Sequence, residues 1–224
     1  MPKTLILDLD GTLIDTAPDL VGTLNRILVS EGIGPLPLKS ARNYIGQGAK
    51  ALLMRGFAAS GKNPSNERAE ALTEAFIADY AAHIAEQSRP FPGAIAAIDR
   101  FSRAGWKLAI CTNKLESLSK LLLDNLGLSQ RFAAITGGDT FGVGKPDPRS
   151  LIGTIEAAGG ILQGAVMVGD SASDINAARA AGIPVVAVDF GYTEVPVRDL
   201  RPDAVIGAFG ELWEAVAGLK ARRS

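Results

Sequence analysis

Leu5-Ile6-Leu7-Asp8-Leu9-Asp10-Gly11-Thr12-Leu13-Ile14-Asp15-Thr16 is the stretch around which the chain is organised. It begins as a short apolar run, Leu5 to Leu7, of the kind that forms a strand buried on both faces of a parallel sheet. Two carboxylates then interrupt it. The two-residue period of a strand puts Asp8 and Asp10 on one side and Leu9 on the other. Two acids side by side repel each other, and burying either one unpaired is costly. A cation between them removes the difficulty. Gly11 then lets the backbone turn sharply beside whatever is bound there. The simpler reading, two aspartates that end a strand and cap a turn, is outweighed by the partners found further along.

After this stretch the chain reads as helix for some seventy residues. In Thr16-Ala17-Pro18-Asp19, Thr16 is the expected helix cap, Pro18 suits the first turn and Asp19 is the expected capping acid. Leu20, Val21, Leu24, Ile27 and Leu28 share one face, and Gly32 stops the helix. A short helix carries Leu52, Leu53 and Phe57. A longer one is predicted from about residue 65 to 86, with Ala69, Leu72, Phe76, Tyr80 and His83 on its packed face. A βαβ crossover needs only about a dozen residues. Residues 16–86 therefore read as an all-helical cap inserted over the C-terminal end of the first strand, with hinges near Asp15 and Ser88. The core is then 1–15 together with 87–224. From Pro90 onward, apolar strands at 106–111, 132–136, 165–168, 184–188 and 203–206 alternate with helices. That alternation predicts an α/β fold, doubly wound, with a mostly parallel Rossmann-like sheet. Such sheets bind ligands outside the C-terminal strand ends, where the strand order switches direction.

Composition narrows the function. Of 224 residues, 47% are hydrophobic and 21% charged, an ordinary globular balance. The net charge of −1 creates no global field for nucleic acid or an anionic membrane, so neither is an expected partner. The basic end, Lys220, Arg222 and Arg223, reads as solvated. No apolar run approaches the roughly 18 residues of a membrane span. The first such run is broken by Asp8 and Asp10, which argues against a signal peptide. The single cysteine, Cys111, excludes an internal disulfide and fits a reducing, cytoplasmic compartment. With one histidine and one cysteine, Ser-His-Asp chemistry and His/Cys zinc sites have little to build on.

The remaining polar signals fall at successive strand ends. The first strand ends in Asp8 and Asp10, the second in Thr112 and Asn113, and the fourth in Gly169-Asp170; Lys145 lies in the loop before the fourth. Asp8 and Asp170, with a backbone carbonyl near Asp10, offer oxygen ligands of the kind Mg²⁺ takes. Lys145, the Thr112 hydroxyl and nearby amides can neutralise phosphoryl oxygens. Singly, each has a plainer reading: Thr112-Asn113 as a helix cap, Lys145 as a solvated loop lysine, Asp174 as the capping partner of Ser171. In this order they point to one site for an anion and a divalent cation.

In these motifs the sequence resembles the haloacid dehalogenase superfamily: Asp8-Leu9-Asp10-Gly11-Thr12 is similar to its first motif, Thr112-Asn113 to its second, Lys145-Pro146 to its third, and Gly169-Asp170 with Asp174 to its fourth. Within it, residues 12–20, Arg42 through Gly48, and Phe190-Gly191-Tyr192 are most similar to the phosphoglycolate phosphatases. The resemblance implies that Asp8 is a nucleophile forming an aspartyl-phosphate, and that Asp10 protonates the leaving oxygen and later activates water. It implies that Thr112, Asn113 and Lys145 hold the transferring group. Mg²⁺ would lie between Asp8, the Asp10 carbonyl and Asp170, with Asp174 contacting either the metal or only Lys145. Arg42 and Gly46-Gln47-Gly48 of the cap would meet the far end of the substrate. The implied activity is hydrolysis of a small phosphorylated metabolite, 2-phosphoglycolate first, by a monomer or homodimer. The alternatives are a phosphosugar mutase or phosphatase like β-phosphoglucomutase, a pyrophosphatase, or, from another class, a receiver-like signalling module. The long helical insertion argues against the last.

Overall fold

The computed structural model describes residues 3–193 and 195–221. The basic end, expected to be solvated, lies outside them for Arg222, Arg223 and the side chain of Lys220. β1 (Thr4–Leu7) is buried along its whole length. The chain then makes β2 (Ile14–Asp15) and the helices α1 (Ala17–Ser30), α2 (Leu38–Ala41), α3 (Ala49–Ala59) and α4 (Asn66–Ala82), and returns through β3 (Arg89–Pro90). Next come α5 (Ala94–Arg103), β4 (Lys107–Cys111), α6 (Glu116–Asn125), β5 (Ala134–Thr136) and α7 (Pro148–Ala157). β6 (Ala165–Gly169), α8 (Ala172–Ala181), β7 (Val185–Val188), β8 (Ala204–Ile206) and α9 (Leu212–Ala221) complete the fold.

The main sheet has the order β5-β4-β1-β6-β7-β8, and every pairing in it is parallel. This is the doubly wound α/β architecture the alternation predicts, with a helical insertion between β2 and β3. β1 is central: Leu7 lies opposite Ile110 of β4 and Val168 of β6. Chain order runs outward from β1 first on one side and then on the other, so its C-terminal end is the switch point. Alternation divides the apolar side chains between two layers. Ile6, Ala109, Met167 and Ala187 pack against α7 and α8. Leu5, Leu7, Ile110, Val168 and Val188 face the opposite layer with α5, α6 and α9, which runs on into the helical insertion. Each fully buried leucine or isoleucine contributes about 1.5–3 kcal/mol, so this centre does not shift to suit a ligand. No helix among the described residues is long and apolar enough to cross a membrane.

Local expectations fail where tertiary partners outcompete them. α4 ends at Ala82 rather than near Glu86. His83 is its half-buried C-cap, with Nδ1 2.7 Å from the Asp79 carbonyl, not a member of the packed face. Thr16 makes no side-chain cap; its hydroxyl donates to Asp10 Oδ1 at 2.7 Å. Asp19 is not a capping acid either. Its buried carboxylate accepts from the amides of Gln87 (3.0 and 3.1 Å) and Ser88 (2.8 Å) and from the Ser88 hydroxyl (2.6 Å). It therefore ties the first turn of α1 to the chain returning from α4. Beside it β2 and β3, two strands absent from the periodicity, pair antiparallel with Ile14 opposite Pro90. Inside the insertion, a Cβ on Gly56 would come within 2.7 Å of Leu24 Cδ1, so the bare glycine lets α3 settle on α1.

Removing the Asp19 carboxylate strands the buried amide and hydroxyl of Ser88. Asp19→Ala is expected to cost about 2–4 kcal/mol, since each unsatisfied buried donor loses about 1–3 kcal/mol. Urea unfolding of the two proteins checks this, and a loss below about 0.5 kcal/mol would contradict it.

Candidate active site

The C-terminal ends of β1, β4 and β6 meet at one floor. Asp8 follows β1, Thr112 follows β4 and Asp170 follows β6, and all three are buried. Lys145, from the loop between β5 and α7, reaches between them and is only 6% exposed. Its Nζ donates to Asp8 Oδ1 at 2.7 Å and to Asp174 Oδ1 at 2.6 Å. The second oxygen of Asp174 accepts from the Ser171 amide (3.0 Å) and hydroxyl (2.6 Å), closing a capping box on α8. Asp174 thus has both the structural and the functional partners open to it in the sequence, one on each oxygen.

Carboxylate oxygens of Asp8, Asp170 and Asp174 lie within 4.8 Å of one another. Lys145 matches the charge of one of the three. Asp170 has only neutral donors: the Thr12 hydroxyl at 3.0 Å and the Tyr192 amide at 2.6 Å. Negative charge is therefore left over in a buried place. Burial, and then the charges of Asp8 and Asp174, push the Asp170 carboxyl up to about 8. Burial pushes Asp8 up to about 6, with Asp174 and Asp10 adding to it and Lys145 opposing. Burial would strip Lys145 of its proton, but Asp174 and Asp8 outweigh it and hold the ammonium charged. An oxygen-only donor set with surplus negative charge fits a hard divalent cation. Two glycines make room for the Asp170 side chain. A Cβ on Gly191 would come within 2.2 Å of Asp170 Cβ, and one on Gly11, at φ +86, within 2.5 Å of Asp170 Oδ2.

Asp10 stands beside this floor and has its own cation. Lys114 Nζ lies 2.9 and 3.0 Å from its two oxygens. Lys114 is 7% exposed, and its Nζ sits 4.4 Å from the centroid of the Tyr80 ring on α4. In the sequence Lys114 has one signal only, its place directly after Thr112-Asn113 at a strand end. Tyr192 is a second residue whose part emerges only in the structure. Its amide holds Asp170, its hydroxyl donates to Asp15, and that hydroxyl accepts from the Ala17 amide at 3.0 Å.

Two expected contacts differ. Asn113 Nδ2 donates to the Lys145 carbonyl at 3.0 Å and to the Gly46 carbonyl at 3.4 Å, so it braces the lysine loop against the insertion. Arg42 does not line the cavity above Asp8. Its guanidinium lies 4.6 Å from the Tyr192 ring centroid and 3.8 Å from Asp15 Oδ1. The aromatic face and the Asp15 charge together hold it at the crossing between sheet and insertion. The cavity itself, about 270 Å³, has Asp8, Asp10, Thr112 and Lys145 at its polar end and Leu52, Phe76 and Leu118 along its apolar wall. Cys111 is buried and burial raises its thiol pKa, so it is no nucleophile at neutral pH.

A doubly wound α/β core with acids and a lysine gathered at the switch point is the class these features define. The family model for haloacid dehalogenase-like hydrolases matches residues 5–188, and the chain belongs to that family. It is 50% identical over 212 residues to the phosphoglycolate phosphatase of Caulobacter vibrioides, covering 95% of this chain and 90% of that one. It is 48% identical over 211 residues to the phosphoglycolate phosphatase of Agrobacterium fabrum, covering 94% and 91%. Among solved structures, a predicted phosphoglycolate phosphatase from Haemophilus somnus superposes with a TM-score of 0.89 at 26% identity, over 96% of this chain and 98% of that one.

The surplus charge has a measurable signature. Asp8 and Asp170 hold their protons above the ordinary value of 3.8, at about 6 and about 8. Without a cation, the folded protein binds more protons than the unfolded chain between these limits, so its stability falls as pH rises from about 4 to about 8. In EDTA the melting temperature is expected to drop from pH 5 to pH 8. The increase on adding a divalent cation should grow over the same range and vanish in Asp170→Asn. Equal cation-induced increases at pH 5 and pH 8 would contradict the charge assignment.

Proposed function

We propose that this hydrolase is a Mg²⁺-dependent phosphatase that converts 2-phosphoglycolate to glycolate and phosphate through an aspartyl-phosphate on Asp8. The observation that carries the reading is Asp8, buried at the cavity floor, with Lys145 at 2.7 Å and the uncompensated carboxylate of Asp170 beside it. The names of relatives about half identical along nearly their whole length support the substrate. They favour neither the mutase nor the pyrophosphatase reading.

In the first step an Asp8 oxygen attacks phosphorus and the bond to the leaving oxygen breaks. Asp10 gives that oxygen its proton, so glycolate leaves as the alcohol rather than the alkoxide. In the second step Asp10 takes a proton from water, the water oxygen attacks the same phosphorus, and the bond to Asp8 breaks. Phosphate leaves and both aspartates return to their starting state. Lys145 offsets the repulsion between the Asp8 carboxylate and the phosphoryl oxygens, and the Thr112 hydroxyl donates to one of those oxygens. Asp174 keeps Lys145 in place. Mg²⁺ held by Asp8, the Asp10 carbonyl and Asp170 would supply further charge neutralisation on the phosphoryl group.

Residues 16–86 act in this reading as a cap whose closing keeps water out until substrate binds, with 1–15 and 87–224 as the catalytic core. The paired crossings at β2 and β3 are its hinge. Arg42 serves the crossing rather than the substrate. The enzyme acts in the cytoplasm as a monomer or homodimer, on a small phosphorylated metabolite and not on nucleic acid or membrane.

Asp8→Asn keeps the shape of the nucleophile and removes its attack. Phosphate release from 2-phosphoglycolate with Mg²⁺ is expected to fall by about 10³-fold or more while the melting temperature stays close to wild type. Activity within tenfold of wild type would overturn the assignment of Asp8.

A further inference from the structure

We propose that Lys114 is the residue that binds the carboxylate of the substrate, exchanging Asp10 for it as ion-pair partner. The inference rests on the reading of 2-phosphoglycolate as substrate. Among the described residues, three cationic side chains line the cavity: Lys50, Lys114 and Lys145. Lys145 is committed to Asp8 and Asp174. Lys50 is at the rim, 56% exposed and 3.9 Å from Glu70. Arg42 is held outside by Tyr192 and Asp15. Lys114 is the buried cation left on the leaving-group side.

Its position meets the geometry of the reaction. A proton donor stands about 2.6–3.2 Å from the oxygen it serves, so Asp10 touches the leaving oxygen. Lys114 Nζ lies within 3.0 Å of both Asp10 oxygens, which puts it one side-chain contact from that same oxygen. In 2-phosphoglycolate the carboxylate begins two bonds beyond the leaving oxygen. Leu20, Phe76, Ile77 and Leu118 of the surrounding wall offer a carboxylate nothing, and Gln47 and Thr73, which also line the cavity, carry no charge to pair it. A carboxylate on Lys114 would keep the buried ammonium paired and release the Asp10 oxygens toward the leaving group. A phosphate ester without a second anion would leave Lys114 on Asp10.

Local structure fixes the lysine in this place. Its amide donates to Thr112 Oγ1 at 3.3 Å, and its carbonyl accepts from the Gly138 amide at 2.9 Å. A Cβ on Gly137 would come within 2.6 Å of that carbonyl, so the bare glycine permits the approach. The Tyr80 ring covers the ammonium from the insertion, which makes the carboxylate contact a closed-state contact.

The test compares kcat and KM of the full-length protein with Mg²⁺ for 2-phosphoglycolate and for ethyl phosphate, which has the same two-carbon leaving group without the carboxylate. Wild type should prefer 2-phosphoglycolate in kcat/KM. Lys114→Met should lower that preference by about 10- to 100-fold, the loss of one charge-assisted pair, and Lys114→Arg should recover part of it. An unchanged preference, with both esters slowed equally, would overturn the inference and leave the substrate reading intact. No preference in the wild type would instead overturn the substrate reading, and the role of Lys114 with it. If Lys114→Met does not fold, Lys114→Gln, which can still hydrogen-bond Asp10, is judged by the same ratio.

Discussion

Three buried carboxylates share one lysine at the C-terminal end of β1, and the rest of the molecule is arranged around that imbalance. Asp8, Asp170 and Asp174 come within 4.8 Å of one another, while Lys145 reaches only Asp8 and Asp174. Such a cluster is tolerable only in a scaffold that does not yield. β1 is fully buried between two parallel neighbours, and the apolar layers on both faces hold its register. The sheet provides the rigidity; the three carboxylates leave negative charge that Lys145 does not offset.

The two-residue period of the first strand gives the site two ends. Asp8 is met by Lys145 from the loop before α7, and Asp10 by Lys114 from the turn after β4. The two lysines are not equivalent. Lys145 lies between two carboxylates, Asp8 and Asp174, within the core. Lys114 lies under the Tyr80 ring of α4 and joins Asp10 to the helical insertion.

The crossing between the sheet and the insertion has its own set of contacts. Asp19 gathers the amides of Gln87 and Ser88, β2 lies against β3, and the Tyr192 hydroxyl bridges Asp15 and the Ala17 amide. Arg42 covers the Tyr192 ring there. Because Tyr192 also donates its amide to Asp170, the crossing and the buried Asp170 carboxylate are linked through one residue. This is a physical connection between the position of the insertion and the state of the floor.

Much of this was legible in the sequence. Apolar runs broken by polar residues at fixed places announced the strands, their alternation with helices announced the doubly wound sheet, and Asp8, Asp10, Thr112 and Asp170 stood out by falling at strand ends, with Lys145 in the loop before α7. Those signals are local, and they depend on periodicity and residue type alone. What needed the tertiary structure were the choices among partners distant in the chain. Asp19 and Thr16 have ordinary capping patterns, yet Ser88 and Asp10 claim them. Asp174 meets both of its candidate partners, Lys145 and Ser171, because each oxygen finds a different donor. Arg42 leaves the cavity because an aromatic ring and a carboxylate, far apart in sequence, offer it a better place. Lys114 gained its part only when folding brought Asp10, 104 positions away, within hydrogen-bonding distance. Composition and spacing determine which elements form and which residues lie at their ends; which charges meet is decided by packing, because the energy of a buried ion pair depends on distance and solvent exclusion that no local pattern encodes.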